Sequence, residues 1–131
     1  GGVVGEGSGA GRDTGRLRGG GGDRVGLAAG HAGRIRHTHL KDVDAAWAGR
    51  VQCGEVTYTD AVRRGMYRPL GQGDVDIAAI VGSLEGAGYD GWYVLEQDTI
   101  LAGPPGPGED GPIVDVRASL EYLRAIARSL A

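Results

Sequence analysis

Three side chains that can bind a metal or hold a substrate alternate along one short stretch of the chain. This stretch, residues 34–42, has the sequence Arg-Ile-Arg-His-Thr-His-Leu-Lys-Asp. Because successive side chains of a strand point to opposite faces, His37, His39 and Lys41 would share one face. Such a face suits a barrel whose active site lies at the C-terminal ends of its strands. A surface strand with solvated histidines is the alternative that this spacing leaves open.

The chain that must position these side chains is short and rich in glycine. Its 131 residues, of which 40% are apolar, are enough for one domain or for part of a larger one. Eleven of the 27 glycines lie in the first 22 residues. We expect residues 1–22 to be poorly structured, because glycine loses more backbone entropy on ordering than any other residue. Residues 23–131 are then the region that folds.

Charge and cysteine content exclude several classes of partner. The net charge is −3, and the basic residues form neither a stripe nor a cluster, so we expect no binding to nucleic acid or to a membrane surface. No apolar run approaches the roughly 18 residues of a membrane span. The single cysteine, Cys53, indicates a reducing compartment, and the N-terminal residues lack a signal-peptide pattern. We therefore expect a cytoplasmic protein.

Strand and helix patterns alternate along the chain. Strands are expected over residues 34–40 and 92–97, and helices over about 23–32, 43–51, 57–65, 76–86 and 114–129. Residues 66–75 and 102–112 are expected to form loops, because they are rich in glycine and proline. This order predicts right-handed βαβ units and a parallel sheet, so the fold class is α/β. An open three-layer sheet and about three βα units of a (β/α)8 barrel are the two arrangements that it allows.

Three motifs follow one another along the chain: His-Leu-Lys-Asp-Val-Asp (39–44), Arg-Pro-Leu-Gly-Gln-Gly-Asp-Val-Asp (68–76) and Gly-Tyr-Asp-Gly-Trp-Tyr-Val-Leu-Glu-Gln-Asp (88–98). In this order they resemble the C-terminal part of the xylose isomerase-like TIM-barrel superfamily, and within it they are most similar to inosose dehydratases. The resemblance runs from Asp13 to the C-terminus. It implies that residues 23–131 form a partial TIM barrel of parallel strands, with the Asp13 motif in the glycine-rich segment before them.

The resemblance also implies a divalent metal, with manganese or cobalt favoured and magnesium as an alternative. Asp13, in an Asp-Thr-Gly motif, resembles the ligand on the sixth barrel strand. His39 resembles the ligand on the seventh strand, and Glu96 resembles the ligand on the eighth. The family's fourth ligand, a glutamate on the fifth strand, has no equivalent in this sequence. Because the atoms that bind a metal lie about 2.0–2.6 Å from it, we expect the polar atoms of His39 and Glu96 to lie within about 6 Å of each other.

Substrate contacts are implied at three basic residues. Arg68 lies where the superfamily has an arginine that clamps substrate hydroxyls. Lys41 could steady a substrate oxygen, and a solvated lysine at a strand end is the alternative. Arg16 stands where the family usually has a histidine, in Asp-Thr-Gly-His. Arginine keeps a hydrogen-bond donor there but cannot act as a base at neutral pH. The sequence does not identify the catalytic base.

The function that the resemblance implies is that of a metal-dependent lyase of inositol catabolism. Such an enzyme eliminates water from a keto-inositol through an enediolate. A sugar isomerase or epimerase of the same superfamily is one alternative, and a non-catalytic, truncated half-barrel is another. The missing fourth ligand and Arg16 indicate that this chain alone is inactive. The expected partner is a small polyol ketone or sugar. Open sheet edges also allow a homo-oligomer.

Overall fold

The computed structural model describes residues 10–13, 30 and 32–131, with the backbone alone for residues 10–13. In chain order the elements are β1 (Ala10–Asp13), a 3-10 helix (Ala32–Arg34), β2 (Ile35–Leu40), β3 (Asp42–Val43), α1 (Ala45–Gln52), α2 (Tyr58–Arg63), β4 (Tyr67–Arg68), α3 (Ile77–Gly86), β5 (Trp92–Leu95) and α4 (Ile113–Leu130). The predicted α/β class is confirmed. Most of the helix expected over residues 23–32 lies outside the described residues.

Strand β2 is the centre of a three-stranded parallel sheet with the order β1-β2-β5. His39 on β2 is level with Asp13 on β1 and with Val94 on β5. The parallel pairing predicted for the strands near residues 34–40 and 92–97 is therefore confirmed. Because all three strands run the same way, their C-terminal ends meet at one edge of the sheet.

Strand β1 differs from the sequence prediction, which treats residues 1–22 as poorly structured. Residues 10–13 pair with β2, and the register shifts between Ala10 and Gly11. A parallel ladder is made by backbone groups, so pairing with the central strand outweighs the weak strand propensity of Ala-Gly-Arg-Asp. Residues 1–9 and 14–22 lie outside the described residues.

The hydrophobic core joins the sheet to α3. Leu40 of β2 and Ile77, Ile80 and Leu84 of α3 are each 2% exposed or less. The three α3 residues lie at helical spacing, so they share the face that enters the core. The carboxylate of Asp76 begins this helix by accepting a hydrogen bond from the Ala79 N–H, at 3.0 Å. Because Leu40 is buried on one face of β2, the neighbouring side chain of His39 points to the opposite face.

A second, antiparallel sheet forms where the sequence predicts only the start of a helix and a loop. Strands β3 and β4 pair so that Asp42 lies opposite Arg68. The cap of α1 is Asp44, whose carboxylate accepts hydrogen bonds from the Ala46 N–H at 3.0 Å and the Trp47 N–H at 3.2 Å.

Among the described helices, none is both long and apolar enough to cross a membrane.

Candidate functional site

The candidate site lies at the C-terminal edge of the three-stranded sheet, where β2 and β5 end side by side. His39 is the next-to-last residue of β2, and Glu96 directly follows β5. The Glu96 N–H donates to the carbonyl of Leu40 at 3.1 Å, which continues the pairing one residue beyond β5. The backbone therefore fixes Glu96 beside the end of β2.

The side chains of His39 and Glu96 converge from these two strand ends. His39 Nδ1 lies 3.2 Å from Glu96 Oε2, so the expected approach to within about 6 Å is confirmed. Because a carboxylate can only accept hydrogen bonds, His39 Nδ1 carries the proton in this arrangement. The His39 side chain is 43% exposed and that of Glu96 is 32% exposed, so a small molecule can reach the pair.

Lys41 is buried beside this pair, with its side chain 4% exposed. It is therefore not the solvated lysine that the sequence left as an alternative. Its Nζ donates to Glu96 Oε1 at 2.7 Å and to Asp98 Oδ2 at 2.6 Å. It also lies 4.6 Å from the centroid of the Tyr67 ring. A buried ammonium group is costly unless it is paired. Two carboxylates and an aromatic face provide that pairing here.

Glu96 is held as a carboxylate by these neighbours. Partial burial raises the pKa of Glu96, but the hydrogen bond and charge of Lys41, together with His39, outweigh burial. The net result is a Glu96 pKa below its ordinary value. Glu96 is thus ionised at neutral pH, with Oε1 toward Lys41 and Oε2 toward His39.

The other predicted site residues are Asp13, Arg16 and Arg68. The backbone sets Asp13 level with His39 on the neighbouring strand, but its side chain is not described. Arg16 lies outside the described residues. Arg68 Nη2 lies 3.2 Å from Asp44 Oδ2, where the arginine meets the cap of α1. The structure therefore gathers His39, Lys41 and Glu96 into one cluster and places Arg68 beside Asp44.

Sequence reasoning gave no role to Asp98 and Tyr67, which also belong to this cluster. Asp98 follows Glu96 by two residues, the same spacing that separates His39 from Lys41. That matched spacing at the C-terminal ends of neighbouring strands is a signal that could have indicated Asp98. Tyr67 has no such signal, because it comes from a two-residue strand that the sequence pattern does not reveal.

A metal ion fits the pair formed by His39 and Glu96. Donor atoms that bind one ion at about 2.0–2.6 Å each can lie as close together as the observed 3.2 Å. An imidazole nitrogen with a carboxylate oxygen suits manganese or cobalt, and magnesium accepts the carboxylate. Within the described part of the chain, no group of three or more His, Cys, Asp or Glu side chains could hold a metal. Any third protein ligand therefore comes from outside those side chains, and Asp13 is level with His39 in register.

Comparison with known proteins finds a matching family model and several similar sequences. A family model described as xylose isomerase-like TIM barrel matches residues 11–126. An inosose dehydratase of Geobacillus thermodenitrificans is 38% identical over 94 residues, which cover 70% of this chain and 32% of the relative. The rhizopine catabolism protein MocC of Rhizobium meliloti is 38% identical over 115 residues, covering 88% of this chain and 34% of the relative. The chain thus spans about a third of the length of these relatives.

Proposed function

The chain belongs to the xylose isomerase-like TIM-barrel family, and from this premise we propose that it is part of a metal-dependent lyase of the inosose dehydratase type. The proposed reaction removes water from a keto-inositol, with manganese, cobalt or magnesium as the metal. The observation that carries the proposal is the 3.2 Å approach of His39 Nδ1 to Glu96 Oε2 at the ends of two parallel strands. The inosose dehydratases among the relatives support the substrate.

The cluster supports this chemistry through the state of its own side chains. A bound divalent ion would act as a Lewis acid toward a substrate carbonyl. Glu96 offers Oε2 as an ionised ligand while Lys41 holds Oε1. To become a ligand through Nδ1, His39 must free that atom of its proton, and in the neutral imidazole the proton then lies on Nε2. Elimination then requires loss of the hydrogen beside the carbonyl and of the β-hydroxyl group.

A sugar isomerase or epimerase of the same superfamily remains the alternative, because it also begins by removing a proton beside a carbonyl. Among the described side chains, no group of three or more could hold a metal, and the chain spans about a third of the length of its relatives. These two facts favour weak metal binding and no turnover by the 131-residue chain on its own.

The test is a calorimetric titration of Mn²⁺ into the wild-type chain and into His39→Ala and Glu96→Gln. We expect weak binding by the wild type and none by either variant. His37→Ala is the matched control, because His37 is exposed and lies on the same strand two residues away. It should bind as the wild type does. Equal affinity in all four proteins would contradict the metal site.

A second titration distinguishes the two substrate classes. It repeats the Mn²⁺ measurement in the presence of an inosose or of a ketohexose. If the substrate shares the metal site, the matching compound should tighten Mn²⁺ binding, because coupling between two ligands is reciprocal. Tightening by the ketohexose alone would favour the isomerase alternative over the lyase.

A further inference from the structure

Both oxygens of the Glu96 carboxylate are held, each from a different side. Lys41 Nζ donates to Oε1 at 2.7 Å, and His39 Nδ1 lies 3.2 Å from Oε2. The terminal torsion of a glutamate has a broad energy minimum, so one contact alone leaves the carboxylate free to rotate. Lys41 therefore determines how Glu96 presents Oε2 to the imidazole.

Lys41 itself needs a fixed position if it is to hold Glu96. Its ammonium group lies on a flexible four-carbon stem, which makes it a poor anchor by itself. Asp98 Oδ2 accepts from Lys41 Nζ at 2.6 Å, which is shorter than the 2.7 Å contact between Lys41 Nζ and Glu96 Oε1. The Tyr67 ring lies 4.6 Å away. Asp98 is thus a strong restraint on where the ammonium group lies.

Asp98 also changes the charge that the cluster presents to a cation. Glu96 and Lys41 taken as a pair are neutral, and a neutral pair attracts a divalent ion weakly. With Asp98 included, the three side chains carry one net negative charge. The electrostatic effect therefore acts in the same direction as the geometric one.

We propose that Asp98 is a positioning residue, which shares the Lys41 ammonium group with Glu96 and thereby keeps Glu96 Oε2 directed at His39. The proposal deepens the proposed function and rests on it in one respect, that His39 and Glu96 hold the metal. The orientation of Glu96 can be measured without any metal, so the two proposals can fail separately.

The first measurement is the nitrogen-15 NMR signal of His39 Nδ1 in the metal-free, full 131-residue chain. We expect Asp98→Asn to move this signal, because Lys41 loses its second carboxylate and Glu96 its fixed orientation. Asp90→Asn is the control, since it removes the same charge at an exposed position before β5, and it should leave the signal unchanged. An unchanged signal in Asp98→Asn would overturn the proposal.

The route through Lys41 is tested in a second background. In Lys41→Met, a further Asp98→Asn substitution should move the His39 signal much less than it does in the wild type. An equal movement in both backgrounds would show that Asp98 acts by another route, which also overturns the proposal. A further measurement uses the wild type alone. It records the NMR couplings across the hydrogen bonds from Lys41 Nζ to the carboxyl carbons of Glu96 and Asp98. Absence of the Asp98 coupling in the folded wild type would be equally decisive.

The last measurement is Mn²⁺ affinity. We expect about tenfold weaker binding by Asp98→Asn, the lower end of what outer partners of metal ligands contribute, and wild-type affinity for Asp90→Asn. Equal affinity in Asp98→Asn and the wild type would count against the proposal. If the wild type binds no Mn²⁺ while the His39 signal still responds to Asp98, the metal assignment fails and the positioning role stands.

Discussion

Asp42 shows how one residue organises the chain around the candidate site. It is fully buried, and its carboxylate accepts hydrogen bonds from four backbone N–H groups. Oδ1 accepts from Val43 and Val75, each at 2.9 Å, while Oδ2 accepts from Gly71 at 2.9 Å and Gly73 at 3.0 Å. The loop before α3 is thus wrapped around a carboxylate that lies just after His39 and Lys41 in the sequence.

We predict that Asp42→Asn destabilises the protein strongly. The amide keeps one accepting oxygen, but its NH₂ group faces two backbone N–H donors that then have no acceptor. A buried donor without a partner costs about 1–3 kcal/mol, so we expect a loss of about 3 kcal/mol in the free energy of unfolding. Urea denaturation measures it. Asp90→Asn, at an exposed position, should change the same quantity by less than about 0.5 kcal/mol. Equal losses in the two variants would contradict this role of Asp42.

At the scale of elements, the loop from β4 to α3 depends on glycines that leave room for other groups. Gly71 has a φ of +86° and faces the Tyr122 ring of α4. A Cβ at Gly73 would collide with the Asp42 carboxylate. Ser119 of α4 accepts a hydrogen bond from the Leu70 N–H at 3.0 Å, so the same loop also ties α4 to the rest of the chain.

We predict opposite effects for two glycine-to-alanine substitutions. Gly73→Ala should lower the free energy of unfolding by about 1–3 kcal/mol, because the added methyl group would collide with the Asp42 carboxylate. Gly82→Ala is the matched control, since Gly82 lies within α3 and its added Cβ would meet nothing within 4 Å. That change should raise the free energy of unfolding by up to about 1 kcal/mol through helix propensity. Urea denaturation of both variants measures the two values. A lower free energy of unfolding in Gly82→Ala, with no loss in Gly73→Ala, would contradict both expectations.

The elements that the sequence predicts well are those with local signals. The α3 helix carries its cap and its apolar spacing within eleven residues, from Asp76 to Gly86. Strand β2 has His37 and His39 at alternate positions, and β5 is a run of mostly aromatic and β-branched residues that favour a strand. The convergence of His39 and Glu96 also follows from parallel strands alone. What could not be predicted depends on partners distant in sequence. Strands β3 and β4 have two residues each, and their pairing joins Asp42 to Arg68 and Val43 to Tyr67, which lie far apart in the sequence.

The candidate site divides in the same way. His39 and Glu96 can be found from motif and strand position. The burial of Lys41 cannot, because it results from Asp98 and Tyr67, which come from two other parts of the chain. Lys41, for which the sequence allows a solvated position, is thus buried by tertiary contacts and donates hydrogen bonds to two carboxylates.

At the scale of the whole molecule, the sheet has surfaces typical of a part of a larger assembly. Within the described residues, β1 and β5 each pair with β2 on one side only. Trp92 is 73% exposed and lies level with His37, which is also exposed. Contact of the Trp92 indole with a partner would remove apolar area from water. In a closed barrel, by contrast, no strand edge is left free.

We therefore predict that the 131-residue chain is either marginally stable as a monomer or associated into oligomers. The edges of β1 and β5 that have no partner strand among the described residues favour pairing with another chain, and the exposed Trp92 adds apolar area that association can remove from water. Sedimentation at micromolar concentration gives the mass, and a thermal melt gives the stability. If association covers the Trp92 face, Trp92→Ser should shift the equilibrium toward the monomer, whereas Tyr58→Ser, at a residue of α2 that is 52% exposed, should not. A monomer that melts cooperatively above about 60 °C, near the upper end for ordinary mesophile domains, would contradict the prediction.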